Sequence, residues 1–302
     1  MIPGVRGGMA ATPLITQCKA IAALIRVRLS LTVALSAFAG FVVINHGISL
    51  GAGAAFAGVA LLAAAGSALN QFQERAEDAM MERTKDRPLP MGVKSPRQVL
   101  VIAALFALAG ILLLISLKPA AAILGVFALV WYNAVYTPLK KRTVFALPVG
   151  ALTGAIAPVI GCVAATGGID RRAAGIALFM FFWQIGHFLL LLLRFGKEYE
   201  KAGVRTILSL ITAARLRTIT SIWLLGTAAC ATMFPLFGLI TGVTSAAALL
   251  LINASFVACF FAGFVLKKES DGFRLVFRCT YLLQGAVLLL LVGEGLLSRT
   301  GL

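Results

Sequence analysis

Nine stretches of roughly 20 apolar residues, almost free of charge, run the length of the chain: 29–47, 53–72, 98–117, 119–136, 144–165, 173–193, 216–238, 244–266 and 274–297. A helix needs about 20 such residues to cross a hydrocarbon core about 30 Å thick. In lipid, every backbone polar group must be satisfied within the segment, which leaves helices or closed barrels. Runs this long and unbroken lack the strict alternation of barrel strands. The chain therefore reads as an all-α polytopic membrane protein, a bundle of nine transmembrane helices in one domain over 1–302, preceded by a cytoplasmic tail of roughly 25 residues. At 60% apolar and 13% charged, it is no soluble domain, disordered chain or disulfide-stapled module. Cys18, Cys162, Cys230, Cys259 and Cys279 show no CxxC spacing and read as small hydrophobes. The N-terminus carries no cleavable signal pattern, so it is expected to be retained.

The net charge of +16 would suggest nucleic acid in a soluble protein. Here the charge falls in short connections between the apolar runs, so the bilayer surface is the expected partner and no nucleic acid is. All Lys and Arg except Lys118, Arg171, Arg172 and Arg299 fall on one side of the nine-span arrangement. Positive charge stays cytoplasmic. The N-terminus is therefore expected inside and the C-terminus outside, with the chemistry on the cytoplasmic face, because most of the acidic residues lie there too.

Asn70, Glu74, Glu77 and Asp78 follow the second run. At roughly 100° per residue on one continuous helix, Asn70, Glu74 and Asp78 stand at about 0°, 40° and 80°, with Glu77 at about −20°. Carboxylates so close repel. A divalent cation between them relieves this, and hard oxygen donors suit Mg2+, which takes one or two carboxylates plus phosphate oxygens. Arg83, Lys85 and Arg87 follow, with Pro88 and Pro90 ending the segment. Guanidinium groups bind phosphate oxygens, so acid beside arginine matches what a diphosphate needs. A salt-bridged helix end at the membrane surface is the plainer alternative.

A second concentration runs Trp183-Gln184, His187, Arg194, Lys197, Glu198-Tyr199-Glu200 and Lys201. On a continuous helix His187, Arg194 and Glu198 share one stripe, with His187 about three turns deeper than Glu198. An intramembrane His marks either a ligand contact or an interhelix hydrogen bond. A third patch, Tyr136-Thr137-Pro138-Leu139-Lys140-Lys141-Arg142-Thr143, ends the fourth run. By itself it is an orientation signal.

Taken in order, these segments resemble the UbiA-type intramembrane prenyltransferases, in particular their protoheme IX farnesyltransferase (heme O synthase) branch. Asn70-x3-Glu74-x3-Asp78 followed by Met81-x-Arg83-Thr84-x2-Arg87-Pro88-Leu89 is similar to that branch's NxxxERxxDAxMxRTxxRPL. Tyr136–Thr143 resembles YTxxLKRxT, Trp183-Gln184-x2-His187-Phe188 resembles WQxxHF, and Glu198-Tyr199-x2-Ala202-Gly203 resembles DYxxAG. Phe273-Arg274-x3-Arg278-x2-Tyr281-Leu282 also looks related. Departures are Glu198 in place of Asp, Arg205-Thr206 in place of Pro-Met, Ile185-Gly186 before His187, and Ala76.

The resemblance implies a nine-span prenyltransferase that moves a farnesyl group from its diphosphate to the vinyl group of protoheme IX, giving heme O. It implies Mg2+ held by Asn70, Glu74 and Asp78 on one side and Glu198 on the other. Arg83, Arg87, Lys140 and Lys141 would grip the diphosphate, with Tyr136 and Tyr199 beside it. His187 and Arg194 would contact heme b. The departures leave a second acceptor class open, an aromatic or quinone precursor or another lipid. A transporter is disfavoured, because the charge sits at the rim and not at the bilayer midplane. The intact carboxylates disfavour an inert scaffold.

Overall fold

The computed structural model describes residues 14–201, 207–266 and 269–300, with side chains for 17–196, 207–264 and 271–298. The described chain is helical almost throughout. In order come α1 Leu14–Leu24, α2 Val27–Asn45, α3 Leu50–Gln73, α4 Arg75–Met80 and α5 Pro96–Leu117. Then follow α6 Pro119–Leu139, α7 Ala146–Thr166, α8 Arg171–Lys201, α9 Ala213–Thr232, α10 Val243–Phe261 and α11 Glu269–Thr300. Helix starts follow local chemistry. Ser95 and Gln98 form a capping box ahead of Pro96 at the start of α5. Asp170 Oδ1 accepts from the Ala173 amide at the start of α8, and Thr212 caps α9.

Among the described residues eight helices are long and apolar enough to span a membrane. The seventh expected span corresponds to α9, which is less apolar: it carries Arg215, Arg217 and five hydroxyl residues. Each hydroxyl bonds a backbone carbonyl of its own helix, as Thr220 does to Leu216 and Thr227 to Trp223. That removes the cost of an unpaired hydroxyl in an apolar setting. The nine expected spans thus all appear as helices, eight of them long and apolar enough to cross a membrane.

Neighbouring helices close a ring, α2–α3–α5–α6–α7–α8–α9–α10–α11 and back to α2, and α2 packs across it on α7. The α2–α7 contact is backbone on backbone. A Cβ on Gly161 would stand 1.8 Å from the Ala37 carbonyl oxygen, so only glycine fits. Outward faces stay apolar, as at Leu105, Leu108 and Leu112 on α5 and Leu250 and Leu251 on α10, all more than half exposed. That is the surface lipid covers.

The segment read as a tail is, from Leu14 on, a helix docked on the bundle. Gln71, fully buried, donates to the Ala23 and Leu24 carbonyls at the end of α1. The chain then turns through Arg26, held left-handed at φ 46°, into α2.

Candidate active site

A cavity of about 830 Å³ opens among α2, α3, α6, α7, α8 and α11. Its charged lining gathers at the end of the bundle where α3 finishes and α2 begins. Asn70, Glu74, Asp78, Arg83, Arg87, Tyr136, Lys140, Lys141 and His187 all line it. Three separate sequence segments, each ambiguous alone, are thereby brought to one place.

The acidic segment is not one continuous helix. α3 ends at Gln73, Glu74 leaves helical geometry at φ −105°, ψ 13°, and α4 begins at Arg75. The Glu74 amide still bonds Asn70 and the Asp78 amide still bonds Glu74, so the kink turns the arc without breaking it. Asn70 and Asp78 are 1% and 2% exposed, which in a carboxylate demands a partner.

Each carboxylate has one. Arg87 Nη1 sits between the two Asp78 oxygens at 2.7 and 2.6 Å. Lys140 Nζ is 2.6 Å from Glu74, and Lys141 pairs with Glu77. Burial raises the Glu77 carboxyl, but the hydrogen bond and charge of Lys141 outweigh it and hold the group below its ordinary value. Burial works against the Lys140 ammonium, yet Glu74 and the Tyr136 and Tyr132 phenols hold it above its ordinary value. Burial, then repulsion from Arg26, lowers the Arg87 guanidinium.

The basic side is positioned by a π turn, Trp131–Tyr136, in α6, a feature frequent at functional sites. It stacks Tyr132 on Tyr136 at 5.8 Å and sets Lys140 Nζ 5.4 Å from the Tyr136 ring. A Cβ on Gly150 would lie 2.5 Å from that ring, so the bare face of α7 seats Tyr136.

The sequence reading counted Arg26 and Arg28 only as orientation charges, yet both line the cavity. Arg26 Nη2 donates to Asn70 Oδ1 at 3.3 Å, and Asn70 in turn donates to Thr137. Arg26 is a left-handed non-glycine residue beside this cavity; nothing in the residue pattern shows it. Arg194 does not join the site. It is exposed, its guanidinium 5.9 Å from the Phe195 ring, because a long cation at the membrane rim reaches water. Glu198 and Tyr199 lie outside the residues whose side chains are described.

Could these residues hold Mg2+? Among the described residues no three of His, Cys, Asp and Glu converge on one point, so the protein alone builds no cage. Asn70, Glu74 and Asp78 do offer hard oxygens along one wall. Two carboxylates completed by phosphate oxygens and water is the habit of Mg2+, and the donor set fits it.

Deeper, His187 lies on Trp183 (ring centroids 5.1 Å apart, planes 3° apart), and Tyr281 meets it edge-on. Thr153, Gln184 and Gln284 also line this part of the cavity, and the rest of the wall is apolar, with Val59, Leu62, Ala157 and Ile160.

Residues 30–282 match the model of the UbiA prenyltransferase family. A protoheme IX farnesyltransferase of Geobacter sulfurreducens is 42% identical over 221 residues, 72% of this chain and 80% of that one. One of Sorangium cellulosum is 42% identical over 156 residues, 51% of this chain and 55% of that one. A UbiA homolog from Archaeoglobus fulgidus, solved bound to DMAPP and Mg2+, superposes with a TM-score of 0.72 at 16% identity, over 93% of this chain and 99% of that one. With a family match across most of its length and such relatives, this chain belongs to the UbiA prenyltransferase family.

Proposed function

We propose that the protein transfers a farnesyl group from its diphosphate to a vinyl carbon of protoheme IX, giving heme O. The observation that carries this is the division of one cavity into a mouth of paired carboxylates and cations over an apolar interior. It rests as well on the named activity of relatives at 42% identity.

Diphosphate leaves only when its developing charge is met. Asn70, Glu74 and Asp78, together with Glu198, would hold Mg2+, which would supply part of that neutralisation. Arg87, Lys140 and Lys141, each now on a carboxylate, exchange it for phosphate oxygens. Arg83 joins them, with Tyr136 and Tyr199 beside the leaving group. The apolar wall keeps bulk water from the allylic carbon as its bond to oxygen breaks. The flat stack of His187 on Trp183 suits one face of a macrocycle. The charge partition supports a mouth on the cytoplasmic side with the N-terminus inside, in the cell inner membrane if the chain is bacterial. The single-domain reading over 1–302 is part of this proposal.

The test is purified protein with Mg2+, farnesyl diphosphate and heme b, with the product identified by mass. Farnesylated heme is expected. Failure with heme alongside product from an aromatic acid overturns the acceptor assignment.

A further inference from the structure

One feature of the cavity is used neither by donor binding nor by an apolar wall: a band of uncharged polar groups inside the membrane. Thr153, Gln184, His187, Tyr281 and Gln284 all line it. At about 1.5 Å per residue from the far ends of α3, α6, α7 and α8, Asn70 and Lys140 lie roughly 30 Å in, His187 about 24 Å, and Gln184 and Thr153 about 20 Å; Tyr281 stands beside His187, and Gln284 follows it by three residues on α11. The band therefore starts about one helical turn below the anion-binding layer and ends above the apolar floor. Polar groups at such depth are expensive unless they serve a purpose.

The fold makes room for them. A Cβ on Gly154 would fall 2.5 Å from Gln184 Oε1, and Pro158 has no N–H to offer the Gly154 carbonyl. Thr153 Oγ1 and His187 Nδ1 have no hydrogen-bond partner among the described residues. His187 Nε2 lies 3.3 Å from Tyr281 Oη. With Nδ1 unpaired, no described group fixes the ring tautomer, and in the tautomer protonated at Nδ1 the Nε2 atom accepts from the Tyr281 phenol.

Resting on the function proposed above, we infer that this band holds the water that completes the reaction, with Tyr281 as the catalytic residue that takes its proton and His187 as the positioning residue behind it. The chemistry requires such a step. The vinyl π electrons form a carbon–carbon bond to the first isoprenoid carbon as its bond to diphosphate breaks. The positive charge moves to the vinyl carbon beside the macrocycle. Water forms a carbon–oxygen bond there. One of its protons passes to Tyr281 Oη while the phenol proton passes to His187 Nε2, and the imidazolium later returns it to bulk water. Without held water, the cation sheds a neighbouring proton and gives an alkene, lighter by one water.

The readout is the ratio of hydroxylated to anhydro product, with pyrophosphate release measured in parallel, in heavy-oxygen water. Wild type incorporates the heavy oxygen. Tyr281→Phe, which keeps the ring that packs on Trp183 and Phe277, continues to release pyrophosphate but shifts the ratio toward alkene by roughly tenfold or more. His187→Gln shifts it the same way and serves alone if Tyr281→Phe does not fold. An unchanged ratio overturns the inference, as does a hydroxyl not drawn from water, or a proportional fall of both products with pyrophosphate. A His187→Gln protein that loses the bound-heme absorption band at unchanged ratio overturns it in favour of an acceptor contact. Failure of wild type to make any heme product is seen before a variant is made, and it refutes the underlying function instead.

Discussion

The Asp78–Arg87 pair carries both fold and chemistry, and a double-mutant cycle separates the two. Asp78 has 3% and Arg87 17% of its side chain exposed, and a single nitrogen bridges both carboxylate oxygens at 2.6 and 2.7 Å. Removing one partner of such a pair strands the other charge out of water, at a cost of about 3–5 kcal/mol. Asp78→Asn retains one acceptor oxygen, which places it near the low end, about 3 kcal/mol. Arg87→Gln leaves a buried carboxylate with no guanidinium, and costs at least as much. The double variant Asp78→Asn/Arg87→Gln strands no charge, and two carboxamides can bond each other. Its stability should exceed that of either single variant, with a favourable coupling of about 2 kcal/mol or more. Turnover behaves differently. Loss of a group that meets transition-state charge costs about a hundredfold or more, and the double variant regains none of it. Thermal unfolding in detergent and pyrophosphate release on the same preparations provide both numbers. A double variant no more stable than the singles refutes the burial argument. Turnover retained in folded Asp78→Asn refutes the role of Asp78 in the site.

Two further perturbations probe the walls of the site. Gly150→Ala pushes a methyl to 2.5, 2.8 and 2.9 Å from three Tyr136 ring atoms, which costs about 1–3 kcal/mol and raises KM for prenyl diphosphate by moving Lys140 off Glu74. Gly154→Ala meets only the movable end of Gln184 and should cost less on both measures. For Glu77, the folded carboxyl lies below the ordinary value of 4.5, so its stabilisation is present above that value and lost as pH falls through the folded one. The stability difference between wild type and Glu77→Gln, read by thermal unfolding, should therefore shrink below about pH 4.5, and with the pair about a third exposed it starts at under about 1 kcal/mol; a difference constant with pH refutes the pairing.

How much of this could be read from residues alone depends on whether backbone geometry intervenes between spacing and position. Span positions were legible because hydropathy is additive along a helix: every expected run has a helix over it, including 216–238, where the helix is the least apolar. The meeting of Asn70–Asp78, Tyr136–Lys141 and His187 was legible only as a resemblance, since no local pattern says which helices face one cavity. Arg194 shows the limit of stripe geometry. The angle that aligned it with His187 is right for a straight helix, but depth decides whether a long cation turns inward or toward water. Arg26 shows the opposite limit. Composition gives it the same weight as Lys19, and what sets it apart is its left-handed backbone between α1 and α2, where Gln71 pairs the Ala23 and Leu24 carbonyls that the end of α1 leaves over. Had α1 continued as helix, each residue would have turned a further 100° or so around one axis, and Arg26 would have stayed on a face set by its neighbours. The break frees its direction from theirs, and Asn70, one residue before Gln71 on the same helix, is the group that receives it. The neighbouring carboxamides of α3 thus do two linked jobs, Gln71 pairing the carbonyls at the end of α1 and Asn70 taking the cation that follows the break.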